Sequence, residues 1–221
     1  AKHDDENLVR FILGTSISAP QVAGTAAMLR AIDPTLTAID TKALILHGVE
    51  DIAAANPLYT RFRYGLGMLR TDLVVEGQQR DRLLRGHLRQ GSIAQIDYTF
   101  DLIAGRRYAA TMCFARTDPA NQADWDNIDL YVYGPDARLR AASETARNLY
   151  EKIVFVPRQT GRHRISVVSR NFTSAANIDV PFTLIFGDDR SGAVQKGSFL
   201  SMGPGCQGRG EPGANGLIIP P

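Results

Sequence analysis

The sequence predicts a mainly helical segment over residues 1–77, an all-β antiparallel sandwich over 78–190, and a flexible tail over 191–221. Three observations carry this. Residues 16–32 are small or apolar with almost no charge before Arg30. From residue 96 onward the apolar period changes to strict alternation, the signature of half-buried strands. Beyond Ser191 the chain turns to Gly and Pro, as in Gly203-Pro204-Gly205, with too few apolar residues to order itself.

The first helix runs from Ser16 to Ile32. Its lack of a polar face predicts burial on nearly every side. It ends at Asp33-Pro34, because proline disfavours helical geometry in the residue before it. Thr37 predicts the cap of a second helix, its side chain taking the backbone amide near Asp40. That helix passes through Lys42–Leu46, with His47 in its last turn and Gly48 as a left-handed terminator.

The strands follow in order. Ile96, Tyr98, Phe100 and Leu102 alternate with Asp97, Thr99 and Asp101. The same alternation recurs at Tyr108–Phe114, at Ile128, Leu130 and Val132, at Ile153 and Phe155, at Ile165 and Val167, and at Val180–Phe186. Turn signals separate them, among them Ala104-Gly105, Gly134-Pro135-Asp136 and Thr160-Gly161. Short alternating strands so punctuated predict a sandwich or barrel. The basic run Arg80–Arg89 has Leu83, Leu84 and Leu88 interleaved, and reads as a linker entering a strand.

A net charge of +2 over 221 residues gives no basis for a nucleic-acid partner. No apolar run reaches the ~18 residues that span a bilayer. The chain opens Ala1-Lys2-His3 with neither a leader nor Met, which reads as an internal position in a longer product. Two cysteines make no disulfide framework; Cys113 reads as a buried thiol, and a Cys113–Cys206 bridge stays open.

Chemistry concentrates at Gly14-Thr15-Ser16-Ile17-Ser18-Ala19-Pro20. A serine hydroxyl attacks a carbonyl only with a base beside it, a fixed position and donors for the oxyanion. Gly14 permits a sharp turn, and Ser16 falls at a helix N-terminus, where backbone amides and the dipole favour negative charge. Pro20 is expected in the first turn, where a missing N–H costs nothing.

The series Gly14-Thr15-Ser16-x-x-x-Pro20-x-Val22-Ala23-Gly24 resembles the active-site serine segment of the subtilase family. Asp33-Pro34-x-Leu36-Thr37 and Tyr64-Gly65-Leu66-Gly67-Met68-Leu69 resemble later segments of the same family, so the likeness covers residues 14 to about 75. The resemblance implies that residues 1–77 are the end of an α/β catalytic domain. It implies a secreted serine endopeptidase that hydrolyses polypeptide substrates through an acyl-enzyme on Ser16, with no cofactor in the chemistry. The Asp and His of the triad, and the Asn of the oxyanion hole, would lie upstream, in the missing N-terminal part of the domain. His3, Asp4 and Asp5 stand in the wrong order for that triad, and nothing around Asn7 recommends it. His47 is read as structural, and His87 and His163, among arginines, as exposed. This chain alone is therefore expected to be inactive.

Residues 126–135, Asp-Asn-Ile-Asp-Leu-Tyr-Val-Tyr-Gly-Pro, resemble the prepeptidase C-terminal type of β-sandwich domain, as does the turn and strand Thr160–Val167. Asp118, Asn121, Asp124, Asp126, Asn127 and Asp129 collect oxygen ligands on one loop, where a structural calcium is weighed against a solvated turn. Trp125 reads as a core anchor or a contact residue, and Asn171-Phe172-Thr173 fits a glycosylation acceptor. The alternative reading is a non-catalytic fragment or dead relative whose sandwich serves as a binding or structural module.

Overall fold

The computed structural model describes residues 14–53, 65–116, 126–146, 148–172 and 178–191. Among the described residues three helices come first: α1 (Thr15–Ile32), α2 (Ala38–His47) and α3 (Thr71–Arg80). Two short strands, β1 (Val49–Glu50) and β2 (Met68–Leu69), pair antiparallel between α2 and α3. Eight longer strands follow: β3 (Arg82–Arg89), β4 (Gln95–Leu102), β5 (Tyr108–Phe114), β6 (Asn127–Tyr133), β7 (Leu139–Ser143), β8 (Tyr150–Phe155), β9 (Gly161–Asn171) and β10 (Asp179–Asp188).

These eight form a β-sandwich of two four-stranded antiparallel sheets, ordered β3-β10-β5-β8 and β4-β9-β6-β7. The alternation seen in the sequence places the core. Tyr98 and Phe100 of β4, Ala110 and Met112 of β5, Leu130 of β6, Ile153 of β8, Ile165 of β9 and Leu184 of β10 all point between the sheets. Phe100 stacks on Phe186 with centroids 4.1 Å apart, locking the two sheets face to face.

The outer face of the β3-β10-β5-β8 sheet is covered as well. Cys113 of β5 and Ile185 of β10 join Leu29, Leu36, Ala43, Leu44 and Val74 in a second apolar cluster under the helices. Strand β5 is therefore buried along its whole length. The sequence shows this in Ala109, Thr111 and Cys113, the small residues on the alternate face, which suit a strand packed on both sides. The expected junction at residues 77 and 78 falls within α3, which passes into β3 through Asp81 alone.

Several expectations change. Helix α1 has the anticipated limits and ends at Asp33, but only Thr25 and Leu29 are buried. Ile17, Val22, Met28 and Ile32 are 39–49% exposed, because α2 and α3 cover one side only. Thr37 and Asp40 form the full capping box. Gly48 is not left-handed, with φ −86°. Its need is space: a Cβ there would lie 2.5 Å from Val74 Cγ2, so α2 and α3 approach closely only with Gly. Of the basic run, Arg80 closes α3, and Arg82–Arg89 form β3 itself, paired along its length with β10. Strand β7, whose Leu139-Arg140-Ala141-Ala142-Ser143 lacks clear alternation, has no counterpart among the expected strands.

Candidate active site

Ser16 is the second residue of α1 and is exposed. Gly14, with φ 151°, makes the turn that delivers it, a backbone state that other residues rarely adopt. The Gly14 carbonyl accepts the amides of Ile17 at 3.0 Å and Ser18 at 3.3 Å. The amides of Thr15 and Ser16 open the helix and have no intrahelical acceptor, so they face outward with the positive end of the dipole. An anionic oxygen placed there meets N–H donors without any rearrangement of the helix.

Pro20 departs from expectation. With α1 beginning at Thr15 it falls in the second turn. There it removes the donor that would bond the Ser16 carbonyl four residues back.

No hydrogen bond joins Ser16 to a His, Asp or Glu among the described residues. His3, Asp4, Asp5 and Asn7 lie outside them, as do Asp118, Asn121, Asp124, Trp125, Thr173 and Cys206. His87 is exposed and meets Asp179 at 3.2 Å. His163, expected on the surface, is 2% exposed, with Nδ1 2.9 Å from the Gly161 carbonyl. It occupies an inward position of β9, opposite Phe100, which its flanking arginines disguise.

His47 does belong to a polar chain, and sequence reading missed it. Nδ1 lies 2.9 Å from Thr111 Oγ1, and Nε2 lies 3.4 Å from Asp81 Oδ2. Asp81 in turn accepts Arg190 Nη1 at 3.0 Å and Nη2 at 2.6 Å. Hydroxyl, imidazole and carboxylate in sequence have the chemistry of a nucleophile relay. Burial rules that use out: Thr111 is 0% exposed and Asp81's side chain 1%, so no substrate reaches them. Burial lowers the His47 pKa, with Asp81 opposing, and keeps the imidazole neutral. The group joins α2 and α3 to the sheet.

A second junction of this kind forms at Asp40. Its carboxylate accepts Arg85 Nε and Nη2, Thr183 Oγ1 at 2.6 Å and the Thr37 amide at 2.7 Å. Burial alone would raise its pKa; the hydrogen bonds from Arg85, Thr183 and Thr37 outweigh it and hold the group at about 2. Cys113 is free, and burial pushes its thiol up to about 12, which leaves it unreactive.

For calcium, the described residues are a poor match. None of them form a group of three or more His, Cys, Asp or Glu fit to hold a metal. Asp129 commits Oδ2 to Tyr131 Oη at 2.8 Å and Arg170 Nε at 3.0 Å, and a guanidinium at that distance repels a cation. Among the described residues no helix is long and apolar enough to cross a membrane.

No protein-family model matches the chain, and no curated protein does. Solved structures offer distant likenesses. A periplasmic inhibitor of g-type lysozyme from Aeromonas hydrophila, PliG, is 16% identical over 48% of this chain and 84% of its own, with TM-score 0.34. The CBM36-1 domain of a multidomain xylanase, from the hindgut metagenome of Trinervitermes trinervoides, is 11% identical over 49% and 97%, with TM-score 0.30. A family GH115 4-O-methyl-alpha-glucuronidase is 10% identical over 85% and 36%, with TM-score 0.32. Likeness at this level says nothing of what this chain does.

Proposed function

We propose that the chain is the C-terminal part of a secreted, subtilisin-like serine endopeptidase, with Ser16 as its nucleophile. The observation that carries the reading is the placement of Ser16. It stands exposed on the first turn of an 18-residue helix, after a glycine turn, with its own amide directed outward. In this reading Ser16 Oγ attacks the peptide carbonyl and its proton passes to a histidine supplied by the upstream part of the domain. The amide of Ser16 donates to the oxyanion, and water then releases the acyl group. No cofactor enters. The exposed apolar side of α1 supports the same reading, since a helix apolar on every side is made to be covered.

The test is active-site labelling of the complete protein with a fluorophosphonate. The parent is expected to label on Ser16 and to cleave a peptide substrate. Ser16→Ala should lose the label and about three or more orders of magnitude in kcat, while peptide binding persists. The 221-residue chain by itself should hydrolyse nothing. Near-parental cleavage by full-length Ser16→Ala would overturn the assignment of the nucleophile, and a complete protein that neither labels nor cleaves would leave the sandwich as the functional part, a binding or structural module.

A further inference from the structure

A sheet edge with no strand beside it holds a row of backbone donors and acceptors, which proteins usually guard with charge. Strands β3 and β4 close one side of the sandwich and are guarded so, by Arg82, Arg85 and Arg89 on β3 and by Asp97 and Asp101 on β4. The opposite side is different. There β8 pairs with β5 only and β7 with β6 only, among the described residues. The free edge of β8 presents Val154, 39% exposed, and Val156 just beyond it, 52% exposed. Its charged side chains are turned elsewhere. Glu151 is buried, accepting Ser143 and Thr145, and Lys152 Nζ donates to the Leu46 and His47 carbonyls.

Along this edge runs a cleft of about 650 Å³. Residues of both faces of β8 line it, Lys152 and Val154 from one and Ile153 and Phe155 from the other, so the opening follows the edge itself. On β7 the facing residues are Ala141 and Ala142, whose small side chains leave the seam open. A smaller cleft, about 260 Å³, continues it past Val156 to Arg140, Arg158 and His163. Across the two, the lining includes Arg107, Arg140 and Arg158 against a single carboxylate, Asp51. Arg107 and Arg140 are paired with Asp189 and Asp136, whereas Arg158 makes no ion pair among the described residues.

We propose that this seam binds an extended, acidic polypeptide segment, which adds to β8 as a fifth strand. Only another extended backbone satisfies an edge's alternating N–H and C=O groups. Its apolar side chains would lie against Val154 and Val156, and its carboxylates would meet Arg158 and the neighbouring cations. The site involves no chemistry at Ser16 and stands whether or not the protease reading does.

The test uses the 221-residue Ser16→Ala chain and a fluorescein-labelled, alternating Asp-Val peptide of about ten residues, long enough to cover a six-residue strand. Fluorescence anisotropy should saturate, and hydrogen exchange should show protection gained at the β8 amides. Val154→Asp and Arg158→Glu should each weaken binding at least about tenfold. Arg158 is an exposed side chain, so that variant folds whatever Val154→Asp does. A peptide N-methylated at alternate residues should not bind. The proposal fails if anisotropy does not saturate, or if the N-methylated peptide or an alternating Lys-Val peptide binds equally. It fails too if sedimentation shows a dimer that Arg158→Glu or Val154→Asp dissolves, since the edge would then belong to a second copy.

Discussion

Asp81 follows the last residue of α3, and its carboxylate lies where Gly77 and Gly187 leave room. A Cβ at Gly187 would fall far inside van der Waals distance of that carboxylate. Gly187→Ala is therefore expected to destabilise the chain by about 2 kcal/mol, read as a lowered urea midpoint at constant m. The neighbouring His47 gives a pH signature. Asp81, Thr111, Lys152 and Asp189 surround it, with Arg190 beyond Asp81. Burial keeps it neutral in the fold, whereas the unfolded chain takes up a proton near pH 6.5. Protons thus bind preferentially to the unfolded state, and stability should fall as pH drops from 7 to 5. His47→Gln should flatten that part of the profile; an unchanged slope would place the titration elsewhere.

Among the elements, α2 owes most to local sequence and α1 least to its surroundings. The capping box at Thr37 and Asp40 closes the N-terminus of α2, and its apolar residues Ala43 and Leu44 are buried against the sheet. Thr37→Ala should cost about 1 kcal/mol in chemical denaturation. Both limits of α1 were legible, at the Gly14 turn and at Asp33-Pro34. Its environment was not. Composition says that a helix has no polar face, but it does not say which partners are present to bury it. The strands show the same division. Alternation identified the inner faces of β4, β5, β6, β8, β9 and β10. It did not reveal β7, and it concealed the inward His163 among arginines, because a single polar residue on a core face leaves the pattern around it intact.

In the whole molecule, the helical layer and the sandwich share one set of polar junctions. Asp40 of α2 is bound by Arg85 of β3 and Thr183 of β10, while Asp81 ties α3 to Arg190 after β10. Asp40→Ala would strand the buried Thr183 hydroxyl and the Thr37 amide, and should cost about 3 kcal/mol. Helix α2 and strands β5 and β10 should then lose hydrogen-exchange protection together. The same carboxylate makes a contribution in acid. Its folded pKa is depressed to about 2, so its stabilisation is complete above pH ~4 and is lost as pH falls towards 2. In Asp40→Ala the acid limb of the denaturation midpoint should shrink by that contribution, leaving the part that Asp81 and Asp97 supply.

Short-range chemistry was written in the chain: the serine turn at Gly14, the Thr37 cap, the Pro34 stop, and the period-two alternation that makes two sheets. Each depends on residues a few positions apart, so their spacing alone specifies them. The covering of the outer sheet face by helices, the His47–Asp81–Arg190 and Asp40–Arg85–Thr183 junctions, and the open edge of β8 were settled only by tertiary structure. They join residues as far as 143 positions apart, and no local period records which distant groups meet.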